Sequence, residues 1–192
     1  MITAVRHKLD SSAAAQIVLP TAWRTTTLRG DTIVEARRLS ASWFGSVQPA
    51  ARPAFEASVA AALQGAKDIG ASFVAMLAGD GEYPVCGSIV VTDLKPTVYT
   101  AGGIEFEWRA AGRECSQLSL PVGPAVVSES FTEPPPESNG AGRTWELQVA
   151  VPAPSLGGLL LVFSTPMVAI AQDFSSVALA IASTLRWQQN WT

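Results

Sequence analysis

Apolar positions along the chain change period several times, and the changes mark out the elements. Residues 15–23, AQIVLPTAW, place a β-branched pair before Leu19 and Pro20 and predict a first strand that stops at a proline unable to donate to a ladder, with Trp23 tucked into the core edge. In residues 31–44, DTIVEARRLSASWF, Asp31 can cap a helix on which Ile33, Ala36, Leu39 and Trp43 recur at helical intervals. Arg52-Pro53 opens a second helix with an apolar stripe of Phe55, Val59, Ala62, Leu63 and Ala66, ended by Gly70. The short GSVQP connection, 45–49, predicts that the two helices pair antiparallel.

After Gly70 the period shortens. ASFVAML (71–77) and VCGSIVVTDL (85–94), separated by the turn-rich GDGEYP, predict a hairpin. GGIEFEWRAAGRE (102–114) alternates at Ile104, Phe106 and Trp108 but ends in helix-favouring residues, so strand and helix both stay open. Residues 115–120 and 124–131 read as short strands joined at Pro121-Val122-Gly123. The Pro- and Gly-rich run 132–143 predicts an exposed, mobile loop. RTWELQVAVP alternates with one face on a core, and GLLLVF, apolar throughout, predicts a central strand covered on both sides. Ile170, Phe174, Val177, Ala178, Ile181 and Leu185 form the stripe of a closing helix, with Arg186 at its negative end.

Two helices, a run of hairpin-linked strands and a last helix predict an α+β fold with an antiparallel sheet flanked by helices, as a single domain over 1–192. A length of 192 residues suits one sizeable core. With 13 basic against 16 acidic residues and no basic cluster beyond Arg37-Arg38 on a solvated helix face, nucleic acid is not an expected partner. The start of the chain lacks the apolar run of a secretory signal, and the most apolar window, 156–171, is too short for a membrane span and is interrupted by Ser164, Thr165 and Pro166. A cytoplasmic protein is expected. In that setting Cys86 and Cys115, without CxxC spacing, read as buried thiols.

The stretch LLLVFSTPMVAIAQDF raises the question of a nucleophile at Ser164 or Thr165 on a sharp turn. The glycines of G-x-S-x-G are missing, and the sole histidine, His7, lies far away in sequence. The expectation is that the two hydroxyls satisfy local backbone groups where a strand ends. One histidine and two cysteines do not make a zinc tetrad, Asp80 and Glu82 read as turn residues, and the pairs Gly102-Gly103 and Gly157-Gly158 match no nucleotide motif. No metal and no cofactor are expected. Glu105 and Glu107 would share one face of a strand, where two acids with separated pKa values could do acid and base work; a solvated face opposite Ile104, Phe106 and Trp108 explains them more simply. Trp187 and Trp191, at the end of the last helix, either pack on the sheet edge or meet a partner.

Leu19, Pro20 and Trp23, the segment GASFVAML, the LPVGPAV turn at 120–126, a strand ending FSTP and a terminal TLRW together resemble a group of small actinobacterial proteins related to the PsbP-like superfamily. The resemblance implies an antiparallel sheet flanked by helices and a role in binding other proteins. It departs from the lipoprotein members in lacking a signal peptide and a lipobox cysteine. The expected function is therefore a non-enzymatic protein-interaction or accessory domain of a bacterial assembly, with a protein partner or a homo-oligomer and Trp187 and Trp191 as its candidate interface residues. The alternative is a carrier or enzyme for a small hydrophobic ligand held between helices and sheet, with Glu105, Glu107 and Trp108 at its mouth.

Overall fold

A computed structural model describes residues 4–8, 15–26, 28, 30–44, 52–78, 86–94, 100–133, 142–153 and 157–187. The predicted loop at 132–143 lies mostly outside them, as do the GSVQP connection, Asp80, Glu82 and Trp191. The described elements are β1 (Ala4–Lys8), β2 (Ala15–Pro20), β3 (Trp23–Thr26), α1 (Thr32–Phe44), α2 (Arg52–Asp68), β4 (Ala71–Ala78), β5 (Cys86–Asp93), α3 (Ala101–Ala110), β6 (Ser116–Leu120), β7 (Gly123–Thr132), β8 (Thr144–Pro152), β9 (Gly158–Thr165), a 3-10 turn (Val168–Ile170), α4 (Ala171–Ser183) and β10 (Arg186–Trp187).

Seven strands form one sheet in the order β3-β4-β5-β9-β8-β7-β6, and every neighbouring pair is antiparallel. A second sheet, β1-β2-β10, is antiparallel too, so the α+β class read from the sequence is the class of the protein. β9, the apolar GLLLVF strand, is the fourth of seven and thus central. Its cover is unequal, however: Leu159, Leu161 and Phe163 are fully buried, whereas Leu160 and Val162 on the opposite face are half-buried.

Strand alternation gives the large sheet two unlike faces. One face carries Ile89, Val91, Leu147, Val149, Leu161 and Phe163, and α4 closes over it together with Ile17 and Leu19 of β2. The other is covered in two separate places. Ala36 and Leu39 of α1 and Val59 and Leu63 of α2 pack on Val74, Met76 and Val90 at one end. Ala101 and Ile104 of α3 pack on Val126, Ala150 and Leu160 at the other. The antiparallel α1–α2 pair is visible where Thr32 at the start of α1 donates to Gln64 near the end of α2, at 3.4 Å.

Local chemistry fixes the helix positions. Asp31 accepts from the Ile33 amide at 2.8 Å, as a cap should, and Gly70, with φ 74°, supplies the left-handed residue that stops α2. Glu35 ties α1 to β3: it accepts from the Thr26 hydroxyl at 2.7 Å and from Arg38 Nε at 2.9 Å. Arg38 also donates to the Thr25 carbonyl at 3.0 Å.

Several sequence expectations need correcting. β1, β3 and β10 are additional short strands, too brief to show a period of their own. Ile33 is 53% exposed, since the packed stripe of α1 starts at Ala36. Ala62 is exposed, and Val177 on α4 is 40% exposed because Ala178 and Ala182 take the inward positions beside Phe174 and Ile181. Among the described residues no helix is long and apolar enough to cross a membrane.

The Phe174 ring stacks on Trp23 at 6.1 Å and meets Trp145 edge-on at 5.7 Å. A β-carbon added at Gly87 would come within 2.5 Å of that ring. Gly87→Ala should therefore destabilise the fold by about 1–3 kcal/mol through overpacking, read as a lower urea midpoint with an unchanged m-value. The Thr26 hydroxyl, followed by Arg38, holds the Glu35 carboxyl below its ordinary value despite some burial. A depressed carboxylate contributes stability above its unfolded pKa and loses it as pH falls through the folded one. The stability gap between the native chain and Glu35→Gln should thus be largest near about pH 6 and shrink towards about pH 3, measured by urea unfolding across that range.

Candidate functional site

The Ser-Thr pair at the end of β9 divides between the two sheet faces. Thr165 is fully buried, still paired with Trp145 in the ladder. Its hydroxyl donates to the Cys86 carbonyl at 2.6 Å and accepts from the Met167 amide at 3.1 Å, which latches the strand end to β5 and to the turn that follows. Ser164 faces the other way, its Oγ 2.7 Å from that of Ser88. Glu146 lies beside Ser164 in register on β8 and accepts from Gln148 at 2.5 Å, while Arg113 donates to Gln148 at 2.7 Å. The strand end is thus a bonded joint. Thr165 satisfies the local Met167 amide as expected and, beyond that, a carbonyl of β5; Ser164 pairs with a hydroxyl on the neighbouring strand instead.

His7 lies in β1 with its backbone opposite Ile17 of β2. Both cysteines are thiols and half-buried. Burial pushes the Cys86 thiol up, which disfavours the reactive thiolate. Cys115 Sγ donates to the Glu105 carbonyl at 3.7 Å. Among the described residues no group of three or more His, Cys, Asp or Glu could hold a metal ion.

The open reading of residues 102–114 resolves to a helix. Thr100 caps α3 by accepting from the Gly103 amide at 3.2 Å, and Glu105 pairs with Arg109 one turn on at 2.6 Å. The apparent alternation of Ile104, Phe106 and Trp108 conceals an i, i+4 pair: Ile104 is buried and Trp108 half-buried against the same cluster. Phe106, between them, is turned by about 200° to the far side at roughly 100° per residue. It is 74% exposed, more than any other exposed large apolar residue described.

That geometry also separates Glu105 from Glu107. On a strand they would share a face; on α3 they point different ways and do not converge as an acid–base pair. Glu105 is half-buried and also accepts from Gln117 of β6 at 2.7 Å, whereas Glu107 is exposed. Trp108 packs between α3 and the sheet, with the Arg113 guanidinium 5.4 Å over its ring. Of the terminal tryptophans, Trp187 is half-buried against the main core and pairs through its backbone with Ala15 of β2. Trp191 is outside the described residues.

What the arrangement presents is a fixed helix with an aromatic side chain directed outward. Gly102 and Ala110, one turn to either side of Phe106, are exposed and small, so nothing on α3 shields the ring along that line. Phe131, by comparison, is 43% exposed and lies beneath the Arg143 guanidinium at 5.0 Å. The sequence carried the signal for Phe106 in the Thr100 cap and the Glu105–Arg109 spacing, both of which favour helix over strand.

The structure is similar to the solution structure of cyanobacterial PsbP (CyanoP) from Synechocystis sp. PCC 6803, over 98% of this chain and 94% of that chain, with a TM-score of 0.48 and 10% sequence identity. No protein-family model matches the chain, and no curated protein does.

The two hydroxyls of the β9 end should separate on mutation. Thr165→Val leaves a buried carbonyl and an amide without their partner and should cost about 1–3 kcal/mol, while Ser164→Ala should cost about 1 kcal/mol or less. Chemical denaturation of both variants checks the order, and a larger loss for Ser164→Ala would contradict the assignment.

Proposed function

We propose that the chain is a non-enzymatic protein-interaction module, an accessory component of a larger bacterial assembly, and that the outer face of α3 is its docking surface. The observation that carries this reading is Phe106, 74% exposed on a helix held to the sheet by Ile104 and Trp108. Aromatic side chains that enter a partner's pocket supply a large share of interface energy. A helix anchored on its inner side also loses little conformational freedom when its outer side is covered. Arg109 and Glu107 flank the ring with opposite charges, as befits the polar rim of such a contact. The partner implied is a protein with an apolar pocket wide enough for one aromatic ring.

Affinity capture from the native host, followed by mass spectrometry, tests the reading with paired baits. The native chain should retain a stoichiometric partner, and Phe106→Ala should weaken that binding by a factor of about 30, as loss of an anchor worth roughly 2 kcal/mol requires. Circular dichroism should show the same fold in both. Equal retention by the two baits, or no stoichiometric partner for the native chain, would refute the role given to α3.

A further inference from the structure

Each edge of the seven-stranded sheet receives an arginine from a helix, but the two differ in the charge carried by the strand itself. At the β3 edge, Arg38 of α1 reaches across to donate to the Thr25 carbonyl, and Arg24 stands exposed on the strand itself. Charged side chains at an edge are a common protection against pairing with another chain. At the opposite edge, β6 reads Ser-Gln-Leu-Ser-Leu, without charge or proline, in unbroken register with β7, and with Ser116, Gln117 and Ser119 exposed.

Backbone alternation identifies the groups that this edge offers. Leu120 pairs with Gly123 across the two-residue turn Pro121-Val122, where Gly123 adopts φ 128°. A pair that closes such a turn is hydrogen-bonded, so Leu118 and Ser116 also direct their main-chain groups towards β7. Gln117 and Ser119 consequently direct theirs away from it. The neighbouring Cys115 carbonyl fits the same alternation: it is taken by Arg109 Nη2 at 3.2 Å. The open run is thus bounded by Arg109 on one side and Pro121 on the other.

We propose that this run pairs with the β6 of a second copy of the chain, antiparallel, about a twofold axis at Leu118. In that register Gln117 faces the partner's Ser119, and Ser119 the partner's Gln117, each exchanging both main-chain bonds. Leu118, half-buried on the core face, meets the same leucine of the other copy. Ser116–Leu120 carries no charge, so the facing strands meet no like-charge repulsion. Head-to-tail growth from β6 to β3 is blocked by Arg24 and Arg38, so the assembly closes at two copies. The proposal goes beyond the α3 reading and is independent of it.

Sedimentation equilibrium of the native chain should show a concentration-dependent mass rising towards twice 20.1 kDa. Ser119→Pro, at a position whose amide points off the sheet and where an edge strand tolerates proline, should stay at the single-chain mass with unchanged circular dichroism. Leu118→Cys in a Cys86→Ser, Cys115→Ser background should give a disulfide-linked dimer under mild oxidation, because a facing non-hydrogen-bonded pair holds its Cα atoms about 4.5 Å apart. A single-chain mass at every concentration overturns the proposal. So does a dimer that survives Ser119→Pro or fails to cross-link. Phe106→Ala should leave the dimer intact, and a dimer lost in that variant would place the contact on α3 instead.

Discussion

One phenyl ring, that of Phe174, determines how α4 sits on the sheet. It is held between Trp23 and Trp145, and it lies so close to β5 that only a residue without a side chain fits beneath it, at Gly87. Trp145 is fully buried with its indole N–H given to Glu129 at 2.6 Å, so the large apolar surface enters the core without an unsatisfied donor. The three aromatic rings come from β3, β8 and α4, which are far apart in sequence and brought together only by the finished sheet. Packing of this kind is intolerant of added volume because the interior is already close-packed. The main core, with Leu147, Phe163, Ile181 and Leu185 around that contact, continues from it.

The order of elements was legible because the longer strands of the large sheet carry a pattern of their own. In β8, the residues predicted inward, Trp145, Leu147, Val149 and Val151, are buried. β9 was legible as central from its unbroken apolar run. α3 was not, because three apolar residues spaced by two fit a strand as well as they fit two faces of a helix. The deciding features were polar: the Thr100 cap and the Glu105–Arg109 pair. β1, β3 and β10 were hidden for a different reason, since strands of five, four and two residues are specified by the ladder they join and not by a pattern of their own.

The candidate residues were harder to place because an acid, a hydroxyl or a tryptophan has the same letter whether it works or merely packs. Glu105 is bound into α3 and β6, Trp108 fills the space under the helix, and Thr165 is a latch between strands. The face under α1, α2 and α3 combines two apolar patches with the polar row of Ser88, Ser164 and Glu146 at the end of β9. A half-covered face of this sort tolerates hydroxyls and a carboxylate near the middle of a sheet, where the opposite face admits almost none.

The small sheet joins the two ends of the described chain. β2 lies between β1 and β10, and the Val18 amide donates to the Thr184 hydroxyl at 2.9 Å across 166 residues of sequence. Ile17 and Leu19, fully buried, depend on α4 for their cover. During synthesis on the ribosome, β2 therefore emerges with its apolar face uncovered and stays so until the last helix has cleared the exit tunnel. Contacts of such separation slow folding, and apolar strand surface left waiting is what chaperones bind. The core over β2 is thus completed only when residues 184–187 become available to it.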